Sequence, residues 1–270
     1  MSAVRYRAVL TGATGGIGRA MALRLGPLCE SLILVARDAA ALAALARDIE
    51  AAGGRARAVP ADLTTPAGLE AVLRAAAETP GGIDLLVNNA GAGGFAWLSD
   101  QDDAALERIV HVNVLVPMQL TRRLLPLMLA QAAARIVNVG SIFGYLGYPC
   151  HAAYSASKFA LRGFSEALRR ELADGPVRVL YLAPRATRTA MNGAGICALN
   201  AELGVAMDEP ATVARELLAL LQHPVRERLL GMPERLFARL NQVLPGLVDR
   251  ALLRQLSIIR RHASHPGGIE

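Results

Sequence analysis

The residues best equipped for chemistry lie close together near the middle of the chain. Tyr154 and Lys158 are four positions apart, and Lys158 is the only lysine in 270 residues that carry 28 arginines. A lysine presents a compact point charge with three rotatable donors, whereas an arginine presents a planar fork. The single exception therefore marks a position that needs an ammonium. On a helix, this spacing puts the phenol and the ammonium on one face. A free phenol has a pKa of about 10, too high for useful proton transfer at neutral pH. A fixed cation beside it is expected to lower that value, each unit being worth about 1.4 kcal/mol. Such a pair can exchange a proton with the oxygen of a carbonyl or alcohol. Ser141, at the end of the preceding apolar run, can hydrogen-bond the same oxygen.

A second group is the turn Thr11-Gly12-Ala13-Thr14-Gly15-Gly16-Ile17-Gly18. Glycines there permit a tight turn and close approach of backbone to a diphosphate, and the helix that follows offers N–H donors and a positive dipole end. Position decides the weight of this motif: it lies between the first strand and the first helix. NAD binders usually carry an acid at the end of the second strand for the ribose 2′-hydroxyl. Here Ala36-Arg37 occupies that place. A guanidinium can clamp a 2′-phosphate, and Arg19 could add a second cation, so the expected cofactor is NADP(H). The plainer alternative makes Arg37 a solvated charge at a strand end.

These groups need elements to position them. Strands are predicted over 7–11, 31–36, 55–60, 83–87, 135–139 and 177–182. Helices are predicted over 17–28, 39–52, 66–78, 101–130 and 151–173. The strands are apolar throughout rather than alternating, so both their faces are covered. That pattern predicts an α/β fold, a Rossmann-type doubly wound parallel sheet. With no linker or repeat, residues 1–270 form a single domain. The Gly- and Asn-rich stretch 187–207 is expected to be a mobile substrate loop, and 233–262 a set of short amphipathic C-terminal helices.

Composition narrows the class. Apolar residues make up 53% and charged residues 19%, which excludes a disordered chain. The net charge is +6, but no basic block or aromatic-interleaved patch supports nucleic acid as a partner. Cys29, Cys150 and Cys197 lack metal spacing and read as free thiols in a reducing compartment, the cytoplasm. No metal is expected. The first ten residues hold no signal-peptide apolar run, and no charge-free stretch is long enough to span a bilayer.

Over residues 5–190 the chain resembles the short-chain dehydrogenases/reductases, in their compact NADP-preferring subgroup. The motifs are Thr11-Gly12-x3-Gly16-Ile17-Gly18, Asp62-Leu63, Asn88-Asn89-Ala90-Gly91, Asn113, Ser141 and Tyr154-x3-Lys158, in that order. The resemblance implies hydride transfer between NADP(H) and a small-molecule carbonyl or alcohol. It implies that Tyr154 is the general acid, Ser141 polarises the carbonyl, and Lys158 lowers the Tyr154 pKa and holds the nicotinamide ribose. Asn113 would hold a relay water, although it could simply cap a helix irregularity. Gly12, Thr14, Gly16, Ile17 and Gly18 would cradle the phosphates, Asp62 and Leu63 the adenine, and Asn89, Ala90 and Gly91 the ribose. Tyr154, Lys158, Pro184, Thr187 and Thr189 would complete the cofactor set. Asn88 reads instead as a brace between central strands. A homodimer or homotetramer through the helices at 101–130 and 151–173 is the family's habit.

One departure stands out. The family usually follows its sixth strand with Pro-Gly, and here Pro184-Arg185 stands. Arg185 or Arg188 could bind an anionic substrate group; alternatively Arg185 points to solvent or pairs with an internal acid. Phe143 and Tyr148, between Ser141 and Tyr154, are expected to line an apolar pocket, which suggests a hydrophobic ketone. His151 reads as incidental. The basic amphipathic segment 233–262 could lie on a membrane or cover a lipophilic tunnel. Packing against the domain or a second subunit is the favoured reading.

Overall fold

A computed structural model describes residues 5–263; the remainder of the expected 1–270 domain lies outside the described residues. The first half alternates β1 (Tyr6–Thr11), α1 (Gly16–Leu25), β2 (Cys29–Ala36), α2 (Ala39–Ala51), β3 (Ala56–Pro60), α3 (Pro66–Ala77) and β4 (Leu85–Asn88). Then come α4 (Asp103–Val110), α5 (Val116–Leu129), β5 (Ala134–Val139), α6 (Ala152–Glu171) and β6 (Val177–Ala183). The chain ends with α7 (Ala194–Glu202), α8 (Pro210–Gln222), β7 (Glu227–Leu229), α9 (Met232–Val243) and α10 (Pro245–Ala263).

The strands form one parallel sheet in the order β3-β2-β1-β4-β5-β6-β7. The apolar strand sequences explain it. Successive side chains point to opposite faces, and both faces are buried. Leu10, Leu34 and Val87 pack with Met21 and Leu217 on the α1–α2–α8 side. Their neighbours Val9, Ile33 and Leu86 pack with Val72, Leu120 and Leu124 on the α3–α5 side. The strand order reverses between β1 and β4. In such sheets a crevice opens there, at the carboxyl ends of the strands.

Three helix starts follow from side-chain caps. Asp38, Thr65 and Asp102 accept hydrogen bonds from Ala41, Gly68 and Ala105 N–H groups at the starts of α2, α3 and α4. Helix α1 differs: its cap is Gly15, with no side-chain hydrogen bond and no acid in the first turn.

Three sequence expectations need correction. The helix predicted over 101–130 is interrupted by a π turn at His111–Leu115, because Asn113 turns inward there to bond outside its own helix. The stretch 187–207 is not all loop: it contains α7, and Thr187 bridges to Asp208. The segment 233–262 forms two helices rather than a set of short ones. The break falls at Leu244, and Pro245 opens a helix of 19 residues. Among the described residues, no helix is long and apolar enough to cross a membrane.

Candidate active site

The glycine turn lies at the reversal point. Gly12 has φ +65°, and a Cβ on it would stand 2.8 Å from the Ala90 Cα. A Cβ on Gly18 would overlap the Gly12 carbonyl oxygen. Only glycine fits either place. Thr11 locks the two loops together. Its Oγ1 accepts from the N–H groups of Asn89 and Ala90, each at 3.0 Å. The Asn89 amide donates to the carbonyls of Thr11 and Gly12, at 3.0 and 3.2 Å. Asn89, expected beside the ribose, thus uses its side chain to brace the turn. Asn88 is a strand brace as expected, donating to Asn138 at 2.8 Å and Thr121 at 3.3 Å. Thr14 lies in the turn, and Ile17 packs partly on the core.

This cradle suits a dinucleotide diphosphate. Its helix start has open first-turn N–H groups, and the missing Cβ atoms leave backbone accessible. At the far end, Arg37 is exposed and has no ion-pair partner among the described residues. Asp38 is occupied capping α2. The Arg19 guanidinium pairs with Asp48 at 2.8 Å, on the surface. Asp62 accepts from Thr64 N and Oγ1 at 3.0 and 2.7 Å. Those bonds, with a smaller contribution from Arg37, hold its carboxyl below the usual range. Leu63 is buried beside it.

The proton-handling groups converge at the start of α6. Ser141 lies two residues past β5, accepts from Phe143 N–H at 3.2 Å and hydrogen-bonds the Tyr154 phenol. Lys158 is 5% exposed. Its Nζ donates to the Val139 carbonyl at 3.2 Å and lies 5.6 Å from the Tyr154 ring centroid. Burial pulls the ammonium down to about 8. The expected lowering of Tyr154 is not what the pocket does. Burial pushes the phenol up, opposed by the Ser141 hydrogen bond. Desolvation of the phenolate outweighs that hydrogen bond.

Asn113 is fully buried in the π turn. Its Oδ1 accepts from Ala92 N–H at 2.8 Å, and its Nδ2 donates to Ala92 O and Ser157 Oγ, both at 2.9 Å. Both Nδ2 hydrogens are thereby engaged, so a relay water would have to meet the backbone rather than donor groups of this side chain. Ser157 in turn donates to Tyr154 O at 2.7 Å. The helix irregularity therefore ties the Gly91 loop to α6.

On the substrate side, Phe143 and Tyr148 stack at 5.1 Å, as part of a larger aromatic cluster. His151 sits 5.1 Å from Phe95, 5.0 Å from Phe143 and 6.1 Å from Tyr154, centroid to centroid. Burial drops its pKa to about 4, so it is a neutral ring in an apolar wall rather than an incidental residue. Beyond that wall Phe95, Trp97 and Tyr148 pack with Leu199 of α7 and Ile259 of α10.

The Pro184-Arg185 departure resolves as internal pairing. Arg185 contacts Asp208 at 2.8 Å and Glu234 at 3.3 Å, with all three side chains largely buried. It is not an open anion site. Arg188 pairs with Glu209 on the surface. Pro184 accepts from Ile142 N–H through its carbonyl. The Thr187 hydroxyl is buried and donates to Arg185 O. Thr189 does lie over the turn: a Cβ on Gly16 would meet its Cγ2 at 2.8 Å.

Sequence reasoning gave no role to Thr11, Ser157, Met191 or Tyr181. Met191 lies over Gly91 and Gly93. Tyr181 donates to Lys158 O at 3.3 Å from under α6, and Gly140 leaves room for its hydroxyl. Contacts made across the fold leave no mark in a sequence pattern.

A parallel Rossmann-type sheet with a glycine turn at its reversal point and a Ser-Tyr-Lys group across the crevice defines a nicotinamide-dependent oxidoreductase. Comparison with known proteins gives the family. The short chain dehydrogenase model matches residues 6–195, and the chain belongs to the short-chain dehydrogenase/reductase family. It is similar to the ketoacyl reductase HetN of Nostoc sp., 30% identical over 251 residues, covering 90% of this chain and 86% of that protein. A short chain dehydrogenase/reductase from Burkholderia phymatum, solved with NAD, superposes with TM-score 0.82 at 28% identity, covering 92% of this chain and 96% of that one. A short-chain dehydrogenase from Sphingobium yanoikuyae, solved with NADPH, gives 0.76 at 28%, covering 90% and 95%.

Proposed function

We propose that this chain is an NADP(H)-dependent reductase acting on the carbonyl of a hydrophobic ketone, with Tyr154 as its general acid. The observation that carries this reading is the lone lysine, buried and fixed on the Val139 carbonyl, beside a phenol that Ser141 hydrogen-bonds. Bound NADPH would supply the hydride to the carbonyl carbon and leave as NADP+. Ser141 and Tyr154 hold the carbonyl oxygen, and Tyr154 gives its proton to that oxygen as the alkoxide develops. A phenol pushed up by burial keeps its proton at neutral pH, which favours the reductive direction. Lys158, with a pKa of about 8, is mostly charged at pH 7. It stabilises the phenolate and holds the nicotinamide ribose. Asn113 positions the Gly91 loop against α6.

NADP(H) rather than NAD(H) is supported by the open guanidinium of Arg37 and the engagement of Asp38 elsewhere. The wall of Phe95, Phe143, Tyr148 and neutral His151 suits an apolar substrate. The likeness to a ketoacyl reductase fits an acyl ketone. Exposed Val110, Leu115 and Phe159 on α4, the π turn and α6 suit a homodimer or homotetramer through those elements. Three unpaired cysteines fit a reducing compartment such as the cytoplasm.

The test is a screen of cofactor oxidation over ketones graded by size and charge, with NADPH and NADH side by side. Turnover with NADPH on apolar ketones is expected. NADPH binding without turnover on any ketone would contradict the catalytic reading and favour a non-catalytic NADP-binding regulator.

A further inference from the structure

Seven of the fifteen large apolar side chains exposed among the described residues fall within Met232–Leu253. Met232, Leu236 and Val243 are 73%, 67% and 75% exposed. Spaced i, i+4 and i+11, they lie along one face of α9. Leu244 and Leu247 carry the apolar surface around the turn, and Leu253 extends it on α10. The opposite sides of these helices are anchored. Ala238 joins the cluster under Tyr145, and Ile259 and Ala263 join the one with Leu199. Asn241 donates to Tyr145 O at 2.9 Å. The outer face is therefore held rigidly outward.

Its charge is one-sided. Arg235, Arg239, Arg250 and Arg254 are exposed, and none has an ion-pair partner among the described residues. Of the acids on the two helices, Glu234 is taken by Arg185, which leaves Asp249. Arg239 shares a face with Leu236 and Val243, and Arg250 and Arg254 share one with Leu247. A second copy of this face would bring like charges together, so self-association is disfavoured. An anionic bilayer complements both features. Apolar side chains enter the headgroup boundary while arginine stems snorkel to phosphates. With no spanning helix among the described residues, the contact would be peripheral.

We infer that the α9–α10 hairpin docks this protein on the surface of an anionic lipid bilayer. The inference does not depend on the catalytic reading. Docking there would set the aromatic wall, which α10 helps to close through Ile259, near the membrane that dissolves an apolar ketone.

Flotation of the full chain with phosphatidylcholine vesicles, with and without phosphatidylglycerol, tests it. Flotation is expected only with phosphatidylglycerol and should weaken as salt rises. Val243→Glu/Leu247→Glu should reduce partitioning at least about tenfold. Arg239→Gln/Arg250→Gln/Arg254→Gln, all surface changes, should reduce it on the order of a hundredfold. Both variants should keep the wild-type NADPH affinity and unfolding midpoint. If the first misfolds, the second still decides. The inference is overturned by no flotation of the wild type, by equal flotation on neutral vesicles, or by arginine variants that float like the wild type. It is also overturned if the wild type fails to float and Val243→Glu/Leu247→Glu lowers its oligomeric mass, which would make the face a self-association or protein-binding surface.

Discussion

The two ends of the crevice are built by different forces. Around β1 and β4, backbone geometry decides everything: Gly12 and Gly18 tolerate no Cβ, and one threonine hydroxyl ties Asn89 and Ala90 to the turn. From β6 onward, charged side chains hold the parts together. Arg185 reaches 23 residues to Asp208 and 49 to Glu234, and Glu202 of α7 takes Arg261 and His262 of α10. Tyr145 donates to Glu227 of β7 at 2.7 Å. The first kind of construction admits few sequences and so leaves a motif. The second is satisfied by many pairings and leaves none. The cofactor end is consequently the shared part of the family, and the substrate end is where this chain is particular.

That contrast can be tested from its strongest point down. Lys158→Arg keeps a cation but replaces the compact ammonium by a fork in a buried slot. kcat/KM is expected to fall by roughly 100-fold or more, as for loss of a group acting in proton transfer. Near-normal steady-state rates would mean that any cation serves there. Arg37→Glu should raise the KM for NADPH by about 10- to 100-fold, the scale of a lost charge-assisted pair, and leave that for NADH nearly unchanged. A parallel rise for both cofactors would place Arg37 outside the 2′ site. At the other end, Arg185→Ala strands Asp208 and Glu234 side by side. Denaturant unfolding should show a loss of about 1–3 kcal/mol, with unchanged selectivity between charged and neutral ketones. Altered selectivity with intact stability would restore Arg185 as an anion site.

The smallest effect is the pH dependence of the aromatic wall. Burial holds the native His151 pKa at about 4, against the ordinary 6.5. Above 6.5 it is neutral in both states and contributes no slope. As pH falls from 6.5 toward 4 the unfolded chain takes the proton first, so stability is lost across that window, about 2 kcal/mol by pH 5. In His151→Phe that part of the acid loss should disappear, as read from unfolding midpoints between pH 4 and 7. An identical acid slope in the variant would mean that His151 titrates normally.

The sheet was legible because β1 to β6 are predominantly apolar without strict alternation and each is followed by helical spacing. The edge strand β7 was not, since three residues carry no period. The π turn was legible only as the alternative that Asn113 caps a helix irregularity; its bonds to Ala92 and Ser157 are made across the fold and leave no pattern. Tyr154, Lys158, Ser141 and the glycine turn were legible because their spacing is their chemistry. The direction of the Tyr154 shift was not, because burial depends on what packs around the phenol. Likewise Arg185 read equally well as a ligand group or an internal partner until Asp208 and Glu234 were seen beside it.

The central claim is that Tyr154 gives the proton to the substrate oxygen. Its most direct test is Tyr154→Phe, measured twice: NADPH oxidation on a ketone the wild type reduces, and NADPH binding by fluorescence titration. Turnover should fall at least about 1000-fold while the NADPH Kd stays within about threefold of wild type, less than the 1.4 kcal/mol of a tenfold change. Turnover that survives the loss of the phenol hydroxyl would contradict the account.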